Sequence, residues 1–300
     1  MSLPEEVLQS YQRAGKIASE VREKVRTLVF EGMPVIDLCE RVEALIRGEG
    51  GSPAFPCNVS INEVAAHYTS PPQDEMRIPR SSVVKVDIGV HVDGYIADTA
   101  VTVCFNPELE KLVDCAEEAL HKAIQILRPG LSVKDFGSVI QKTIRDRGFK
   151  PISNLTGHQI GRYLVHTGNP LPNVSHFSVA KINLGEIYGV EPFVTLPDAV
   201  GTVKDEPQAC IFQLLKLKSL KNPYAKQLLN FIRKNFHTLP FTERWLKGTL
   251  PQDHYKAAFS ELLASKTLMT YPILAEASRK PVAQAEHTVL IVKEGCLVLT

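Results

Sequence analysis

The sequence lacks long apolar runs, closely spaced cysteine pairs and a large net charge. No apolar run among its 300 residues is as long as a membrane-spanning helix, so no transmembrane segment is predicted. The six cysteines form no Cys-x-x-Cys pair, which favours reduced thiols over a disulfide framework. The first ten residues are acidic and polar, unlike a signal peptide, so a cytoplasmic location is expected. A net charge of +1 gives no overall field that would attract nucleic acid or a membrane.

Two helical stretches have similar beginnings. Apolar residues recur at helical spacing over residues 5–31 and 37–47, and again over 112–127 and 133–147. The segments GMPVIDLCERVEALIRGEG, from Gly32, and GLSVKDFGSVIQKTIRDRG, from Gly130, both read Gly-x-x-Val, then Asp two residues later. An internal duplication would explain the match and would bring two α/β halves around a central site. Two helix starts can also agree by chance, so both interpretations stay open.

The strongest strand pattern is SSVVKVDIGVHVDGYIADTAVTVCF, in which two apolar runs flank Asp93-Gly94. Such a dipeptide favours a two-residue type I′ hairpin turn. The turn pairs Asp87 with Ala100, which makes Asp98 the diagonal neighbour of Asp87 on the same face of the sheet. Diagonal neighbours lie about 7–8 Å apart, close enough for two carboxylates to hold metal ions between them. A register slip of one residue would put them on opposite faces.

Four acids and one histidine stand in or beside predicted strands. They are Asp87 in VDIG, Asp98 in ADTA, His158 in TGHQIG, Glu191 in YGVEPF and Glu286 in AQAEHTVLIV. Taken singly, each could be structural, and a lone histidine is more often structural than a metal ligand. A buried carboxylate without a partner is costly, so four acids in one core need cations. If the five converge, they form an oxygen-rich site for two divalent metal ions, which is typical of hydrolases.

The pattern changes between the fourth and fifth of these residues. Further strands are predicted over residues 187–195, 288–292 and 296–299, whereas residues 205–268 read as helical. The sequence therefore predicts a catalytic domain of residues 1–204 and 269–300 and an insert subdomain of residues 205–268. Residues 211–247 carry eight Lys or Arg against one acid, Glu243. A solvated helical face explains this excess, and docking to ribosomal RNA is the sharper alternative.

Five motifs in this order closely resemble those of the methionine aminopeptidases. They are NEVAAHYTS, VKVDIGVHVDGYIADTAVTV, LTGHQIGRYLVH, VEPF and QAEHTVLI, and the resemblance covers the whole chain. The long insert before Glu286 resembles the type II class, and the lack of a charged N-terminal extension resembles its archaeal form. The resemblance implies the α/β (α+β) pita-bread fold of creatinases and aminopeptidases, with two pseudo-symmetric halves and, in the insert, a winged-helix-like subdomain.

The resemblance also implies how the five residues share two metal ions. The family residues that match Asp98 and Glu286 bridge the metals, the match of Asp87 chelates one ion, and the matches of His158 and Glu191 complete the other. Glu191 would also act as general acid and base. This ligand set suits Co²⁺, Mn²⁺, Fe²⁺ or Zn²⁺, so the sequence leaves the metal open.

Further residues have substrate-binding roles by resemblance alone. His67 resembles the histidine that contacts the reacting peptide nitrogen, and His166 resembles the one that stabilises the carbonyl oxyanion. From the residues themselves, either would be structural. The residues that match the family's methionine pocket are Phe55, Pro56, Val165 and Tyr271. Phe55 could equally be ordinary core.

Three other residues stand beside these motifs. Ala285 replaces an aromatic residue that commonly precedes the last glutamate, and this could loosen packing near the metals. Ser70 stands where proline commonly follows HYT. His287 is expected to point to the opposite strand face from Glu286, so it is not predicted to be a ligand.

The resemblance implies a methionyl aminopeptidase that removes the initiator methionine from nascent proteins when the second residue is small, by two-metal activation of a bridging water. The partners would be nascent-chain N-termini and the ribosome, and the protein is expected to be a monomer. One alternative is an Xaa-Pro aminopeptidase or prolidase-like enzyme, although those usually carry a separate N-terminal domain. The other is a non-catalytic relative that binds RNA or protein, although such relatives typically lose metal ligands.

Overall fold

The computed structural model describes residues 3–300, so the first two residues of the predicted catalytic domain lie outside the described part. Within residues 3–300 there are six α-helices: α1 (Glu5–Leu28), α2 (Val35–Gly48), α3 (Glu110–Ile126), α4 (Val133–Asp146), α5 (Pro223–Phe236) and α6 (Gln252–Ala264). The first four agree closely with the predicted helices. None of the six is long and apolar enough to cross a membrane.

Fifteen strands lie in the same described residues. They are β1 (Ser52–Pro53), β2 (Asn58–Ile61), β3 (Val64–Ala66), β4 (Val83–Val92), β5 (Tyr95–Cys104), β6 (Lys150–Pro151), β7 (Thr156–Gly161), β8 (Leu164–Pro172), β9 (Ile187–Val190), β10 (Phe193–Thr195), β11 (Val203–Leu214), β12 (Leu268–Glu276), β13 (Val282–Gln284), β14 (His287–Val292) and β15 (Gly295–Val298). They form four sheets, ordered β1-β4-β2 with β5 on β4, β13-β10-β6, β11-β12-β3, and β15-β14-β9-β7-β8.

A pair of helices covers the sheet of each half. Helices α1 and α2 bury their apolar faces against β4 in one core. Helices α3 and α4 do the same against β9, β10, β13 and β14 in a second core. All six cysteines are free, as predicted.

The two halves repeat the same hydrogen bonds where α2 and α4 begin. Gly32 and Gly130 both adopt φ +84°, a conformation that favours glycine, and their amides donate to Ile78 O at 2.7 Å and Ile182 O at 2.8 Å. Three residues on, the two valine amides donate, at 2.9 and 3.1 Å, to the carbonyls two residues before those isoleucines. A shared helix start alone could arise by chance, but a shared set of long-range hydrogen bonds supports an internal duplication.

The insert begins later than the sequence predicts. Residues 205–214, predicted as part of a helical segment, belong to β11, which pairs with β12 and, through it, with β3. Helices α5 and α6 lie between β11 and β12 and pack on a separate apolar core. Bulges near Ala209 break the alternation of apolar and polar residues along β11. Because of this break, the sequence shows no clear strand pattern there. Because β12 pairs with β3, the strand that leads out of the insert contacts the residue that follows β3: the ring of Tyr271 lies 5.4 Å from that of His67.

Candidate metal centre and substrate cleft

The β4–β5 hairpin brings the first two acids together. Asp93 and Gly94 have φ values of 52° and 86°, the positive pair that a type I′ turn needs. Asp87 therefore pairs with Ala100, and Asp98 lies on the same face of the hairpin, as predicted. Asp98 is 3% exposed.

The other ligand candidates come from the second half of the chain. An isolated antiparallel bridge between Ala100 and Glu286 joins the two halves and brings Glu286 beside β5. His158 lies on β7 opposite Gly189, and Glu191 follows the end of β9. A Cβ atom on Gly189 would lie only 2.9 Å from Glu286 Oε1 and 3.1 Å from His158 Nε2, so only glycine leaves room for both side chains.

These side chains converge on one point. His158 Nε2 lies 3.6 Å from Asp98 Oδ2 and 3.6 Å from Glu191 Oε1. One ligand atom each from Asp98, His158 and Glu286 lies within 4.8 Å of the others, which suits a metal ion. Asp87 lines the same cavity. All five predicted ligands therefore meet in one cavity.

Burial and mutual repulsion shift the titration of the cluster. Burial raises the pKa of Asp87 to about 7. Burial, reinforced by neighbouring carboxylates, raises the pKa values of Asp98, Glu191 and Glu286 well above the usual range. Burial also lowers the pKa of His158 to about 3, with the nearby imidazole of His166 adding to the effect. Bound cations would offset both the cost of burying these carboxylates and their mutual repulsion.

The donor atoms fit divalent metal ions. Asp87 Oδ1, Asp98 Oδ1 and Glu286 Oε1 are buried and have no hydrogen-bond partner within the described residues. Unsatisfied buried carboxylate oxygens are costly, and coordination by a metal ion would satisfy them. Four carboxylates and one imidazole form a hard, oxygen-rich set that suits Mn²⁺, Fe²⁺, Co²⁺ or Zn²⁺.

Two further histidines face this cluster. The backbone of His67 has φ 67°, an uncommon and strained conformation for a residue other than glycine. Its Nδ1 donates to Pro272 O at 3.1 Å, because a carbonyl can only accept, and this leaves Nε2 as an acceptor. The ring of His166 lies 4.4 Å from that of His158. Burial lowers the pKa of His67, and it lowers that of His166 to about 4.

An apolar recess opens beside the histidines. Phe55, Val165 and Tyr271, which were predicted to bind substrate, line the cavity. Phe55 packs over Gly89, where a Cβ would lie 2.3 Å from its ring. Pro56 is buried but does not line the cavity, so the structure separates it from the other predicted pocket residues.

The structure adds residues that the sequence did not indicate. Ile211, on β11, and Pro240, between α5 and α6, line the cavity. Asn58 donates to Asp87 Oδ2 at 3.4 Å, and Gln284 Nε2 lies 3.3 Å from Glu191 Oε2. The apolar type of Ile211 and Pro240 was the only available signal, and it does not distinguish a pocket wall from ordinary core.

Several neighbouring predictions have clear outcomes. The ring of His287 points away from the cluster, towards Arg22 at 3.0 Å, as expected. Ala285 lines a cavity of about 140 Å³ behind Glu286. Of the eight basic residues predicted to form a charged face, Arg244 does not belong to it, because it forms a buried ion pair with Glu43 at 2.9 Å. Ser70 donates its hydroxyl to Asp74 at 2.7 Å.

Sequence comparison finds similar proteins over nearly the full length of the chain. A model of metallopeptidase family M24 matches residues 9–228. Proteins named methionine aminopeptidase from Methanothermobacter thermautotrophicus and Thermococcus kodakarensis are each 43% identical to the chain. The first alignment covers 98% of the chain and 99% of the relative, and the second covers 96% and 97%.

Solved structures share the fold at lower identity. A thermophilic Arx1 aligns with a TM-score of 0.83 at 20% identity, over 99% of this chain and 91% of that one. A methionine aminopeptidase from Thermotoga maritima aligns with a TM-score of 0.72 at 20% identity, over 100% and 98%. The prolidase from Pyrococcus furiosus aligns with a TM-score of 0.62 at 16% identity, over 99% of this chain and 64% of that one. The pita-bread fold is thereby confirmed.

Proposed function

Because the chain belongs to metallopeptidase family M24 and, within it, to the methionine aminopeptidases, we propose that it removes the initiator methionine from nascent proteins whose second residue is small. One observation carries the proposal: five candidate metal ligands, two further histidines and apolar side chains line a single cleft. Bound metal ions would activate the scissile bond, the histidines would stabilise the charge that develops on it, and the apolar recess would select the side chain.

Two divalent ions would be held by the five side chains that line the cleft: Asp87, Asp98, His158, Glu191 and Glu286. Bound ions supply a lowered pKa for a water molecule and a polarised scissile carbonyl. Support comes from the carboxylate oxygens that lack other partners and from the raised carboxyl pKa values. Co²⁺, Mn²⁺, Fe²⁺ and Zn²⁺ are all compatible with this ligand set.

Glu191 is the general acid and base in this proposal. Burial raises the pKa of its carboxyl group in the metal-free site, and bound cations would favour its ionised form, which can accept a proton. Gln284 holds its Oε2 at 3.3 Å, which leaves Oε1 to take the proton from the nucleophile and to pass it to the departing amine.

The two histidines would orient the peptide. Since Nδ1 of His67 donates to Pro272 O, its Nε2 is the atom available to accept the N–H of the scissile peptide bond. The low pKa of His166 keeps it neutral, and its ring N–H can donate to the carbonyl oxygen as negative charge develops. The methionine side chain would occupy the apolar recess, whose walls are Phe55, Val165, Ile211, Pro240 and Tyr271.

Peptide cleavage tests the proposal directly. Protein reconstituted with Mn²⁺ or Co²⁺ is expected to release methionine from Met-Ala-Ser and to leave Ala-Pro-Ser intact. Asp98→Asn, which keeps the shape of the side chain, is the matched inactive control. Cleavage of Ala-Pro-Ser but not of Met-Ala-Ser would instead identify an Xaa-Pro aminopeptidase. No cleavage with any of these divalent metals would favour a non-catalytic relative.

The ribosome is proposed as a docking partner because nascent N-termini emerge from its peptide exit tunnel. Lys216, Lys218 and Lys221 are exposed beside β11 and offer a basic surface for phosphate. Co-sedimentation with ribosomes should weaken as the salt concentration rises and when the charges of these three lysines are reversed. Binding that survives both changes would contradict ribosome docking through this surface. A monomer in the cytoplasm remains our expectation, and light scattering after gel filtration tests the monomer.

A further inference from the structure

A lysine is buried at the junction of the two halves. Lys85 lies on β4 two residues before Asp87 and is 1% exposed. Its Nζ donates to Asn62 O at 2.9 Å and to Val282 O at 2.8 Å. It has no carboxylate partner within the 4.0 Å of an ion pair among residues 3–300. A lysine is rarely buried without such a partner, so this placement needs a reason.

The two carbonyls belong to elements that lead to the cleft. Asn62 is in the turn between β2 and β3, and β3 runs into His67. Val282 begins β13, whose last residue, Gln284, lies 3.3 Å from Glu191 Oε2 and 3.5 Å from Glu286 Oε2. Asn62 O also accepts from the amide of Val282 at 3.0 Å, so the amino group binds at a three-way junction.

Side-chain direction links the lysine to the metal cluster. Residues two apart in a strand share a face, so Lys85 and Asp87 both point from β4 towards the second half. Lys85 pairs across the hairpin with Thr102, whose hydroxyl donates to Gln284 O at 2.6 Å. The hydrogen bonds of Lys85 and Thr102 therefore both reach the same strand, β13. An ammonium has three N–H donors and a neutral amine has two, so both carbonyls are bonded in either protonation state.

We propose that Lys85 is a positioning residue for the metal centre: its amino group joins β4, the Asn62 turn and β13, and thereby sets the spacing between Asp87, Glu286 and His67. The inference rests on the proposed function for its kinetic consequences. It does not depend on that function for its effect on metal binding.

The first test replaces the amino group by a methyl group. Lys85→Met keeps the length of the side chain and removes its donors, and Lys293→Met, in the exposed β14–β15 turn, makes the same charge change elsewhere. Titration with Mn²⁺ alone is expected to give about tenfold or weaker affinity for Lys85→Met, as for other residues that orient metal ligands, and unchanged affinity for Lys293→Met. With Met-Ala-Ser, kcat should fall more than KM rises. Wild-type Mn²⁺ affinity together with wild-type kcat in Lys85→Met would overturn the inference.

The second test restores the donors from solution. Lys85→Ala leaves space for methylammonium, which has N–H donors, whereas tetramethylammonium has none and serves as control at equal ionic strength. Methylammonium alone should recover Mn²⁺ affinity at least threefold. Equal effects of the two ions would contradict the inference. If both variants fail to fold and methylammonium does not restore folding, Lys85 is a folding residue and the inference is wrong.

The two tests also separate this inference from the proposed function. Should wild-type protein bind Mn²⁺ and release no methionine, the proposed function fails. The Mn²⁺ affinity of Lys85→Met would then still decide the role of Lys85.

Discussion

The hydroxyl of Thr288 bonds both backbone groups of Asp98, accepting from its amide at 2.6 Å and donating to its carbonyl at 2.7 Å. A second threonine makes a related contact, since Thr99 donates its hydroxyl to Glu286 O at 2.8 Å. The two proposed bridging ligands are therefore held by hydroxyl groups from the opposite half of the fold. The junction of the halves is where the metal centre is built.

Removing one of these hydroxyls should weaken both metal binding and folding. Thr288→Val preserves shape but leaves the Asp98 amide and carbonyl unpaired, and we expect about 10–100-fold weaker Mn²⁺ binding. The free energy of unfolding should fall by about 1–3 kcal/mol. Thr143→Val, which removes a buried hydroxyl bonded within α4, is the control. Equal Mn²⁺ affinities in the two variants would contradict the role of Thr288.

Metal binding should release protons and should stabilise the protein more at higher pH. The pKa of Asp87 is raised from 3.8 to about 7 and those of Asp98, Glu191 and Glu286 are also raised, so without metal the folded state holds protons that the unfolded state loses. This contribution is present below the unfolded pKa and is lost as pH rises through the folded one. Histidines such as His158, lowered from 6.5, act oppositely but only below about pH 6.5.

We therefore expect the rise in unfolding temperature on adding Mn²⁺ to grow between about pH 6.5 and 8.5. Calorimetry in buffers of different ionisation enthalpy should detect about one proton or more released per chain. Asp98→Asn removes one buried carboxyl, so it should unfold at a higher temperature than wild type in a chelator at pH 8. A Mn²⁺ effect that is the same size in Asp98→Asn would count against the site.

His67 should act on turnover without holding metal. We expect His67→Ala to lower kcat on Met-Ala-Ser about 10²–10⁴-fold, the usual range for a lost proton-transfer or orienting group, with Mn²⁺ stoichiometry unchanged. His176→Ala, in an exposed loop, is the control. Loss of Mn²⁺ from His67→Ala, measured by elemental analysis, would place His67 among the ligands instead.

The buried pair of Glu43 and Arg244 should stabilise the docking of the insert. Glu43 also accepts from Trp245 Nε1 at 2.7 Å, and Arg244 donates to Ser70 O at 2.6 Å, three residues after His67. Glu43→Gln leaves a buried guanidinium without its counter-charge, so the free energy of unfolding should fall by about 3–5 kcal/mol in urea. Asp146→Asn breaks an exposed pair on α4 and should change little. Equal stability of the two variants would show that Glu43 is not an anchor.

Local sequence patterns predicted the part of the site that the β4–β5 hairpin contributes. The Asp-Gly dipeptide set the hairpin register, and alternation then put Asp87 and Asp98 on one face, as observed. His67, His166 and the pocket residues depended on resemblance, because an isolated histidine or phenylalanine has no local pattern that reveals a ligand. Pro56 follows the matching phenylalanine in sequence but does not line the cavity.

Long-range pairing explains what the sequence could not reveal. The Thr288–Asp98 contact spans 190 residues and the Arg244–Glu43 pair spans 201, and neither leaves a periodic signal. The insert contributes Pro240 to the cleft and β11 contributes Ile211, and the distant Arg244–Glu43 pair and the β11–β12 sheet hold the insert there. The bulged β11 was read as helical for the same reason: its residues are selected by tertiary contacts rather than by local propensity.

Anomalous scattering from crystals grown with Mn²⁺ would test most directly whether these five side chains hold two metal ions. We expect two peaks about 3.5–4 Å apart, both contacted by Asp98 and Glu286, with Asp87 on one and His158 and Glu191 on the other. A single peak at saturating Mn²⁺, or peaks outside this cluster, would contradict it.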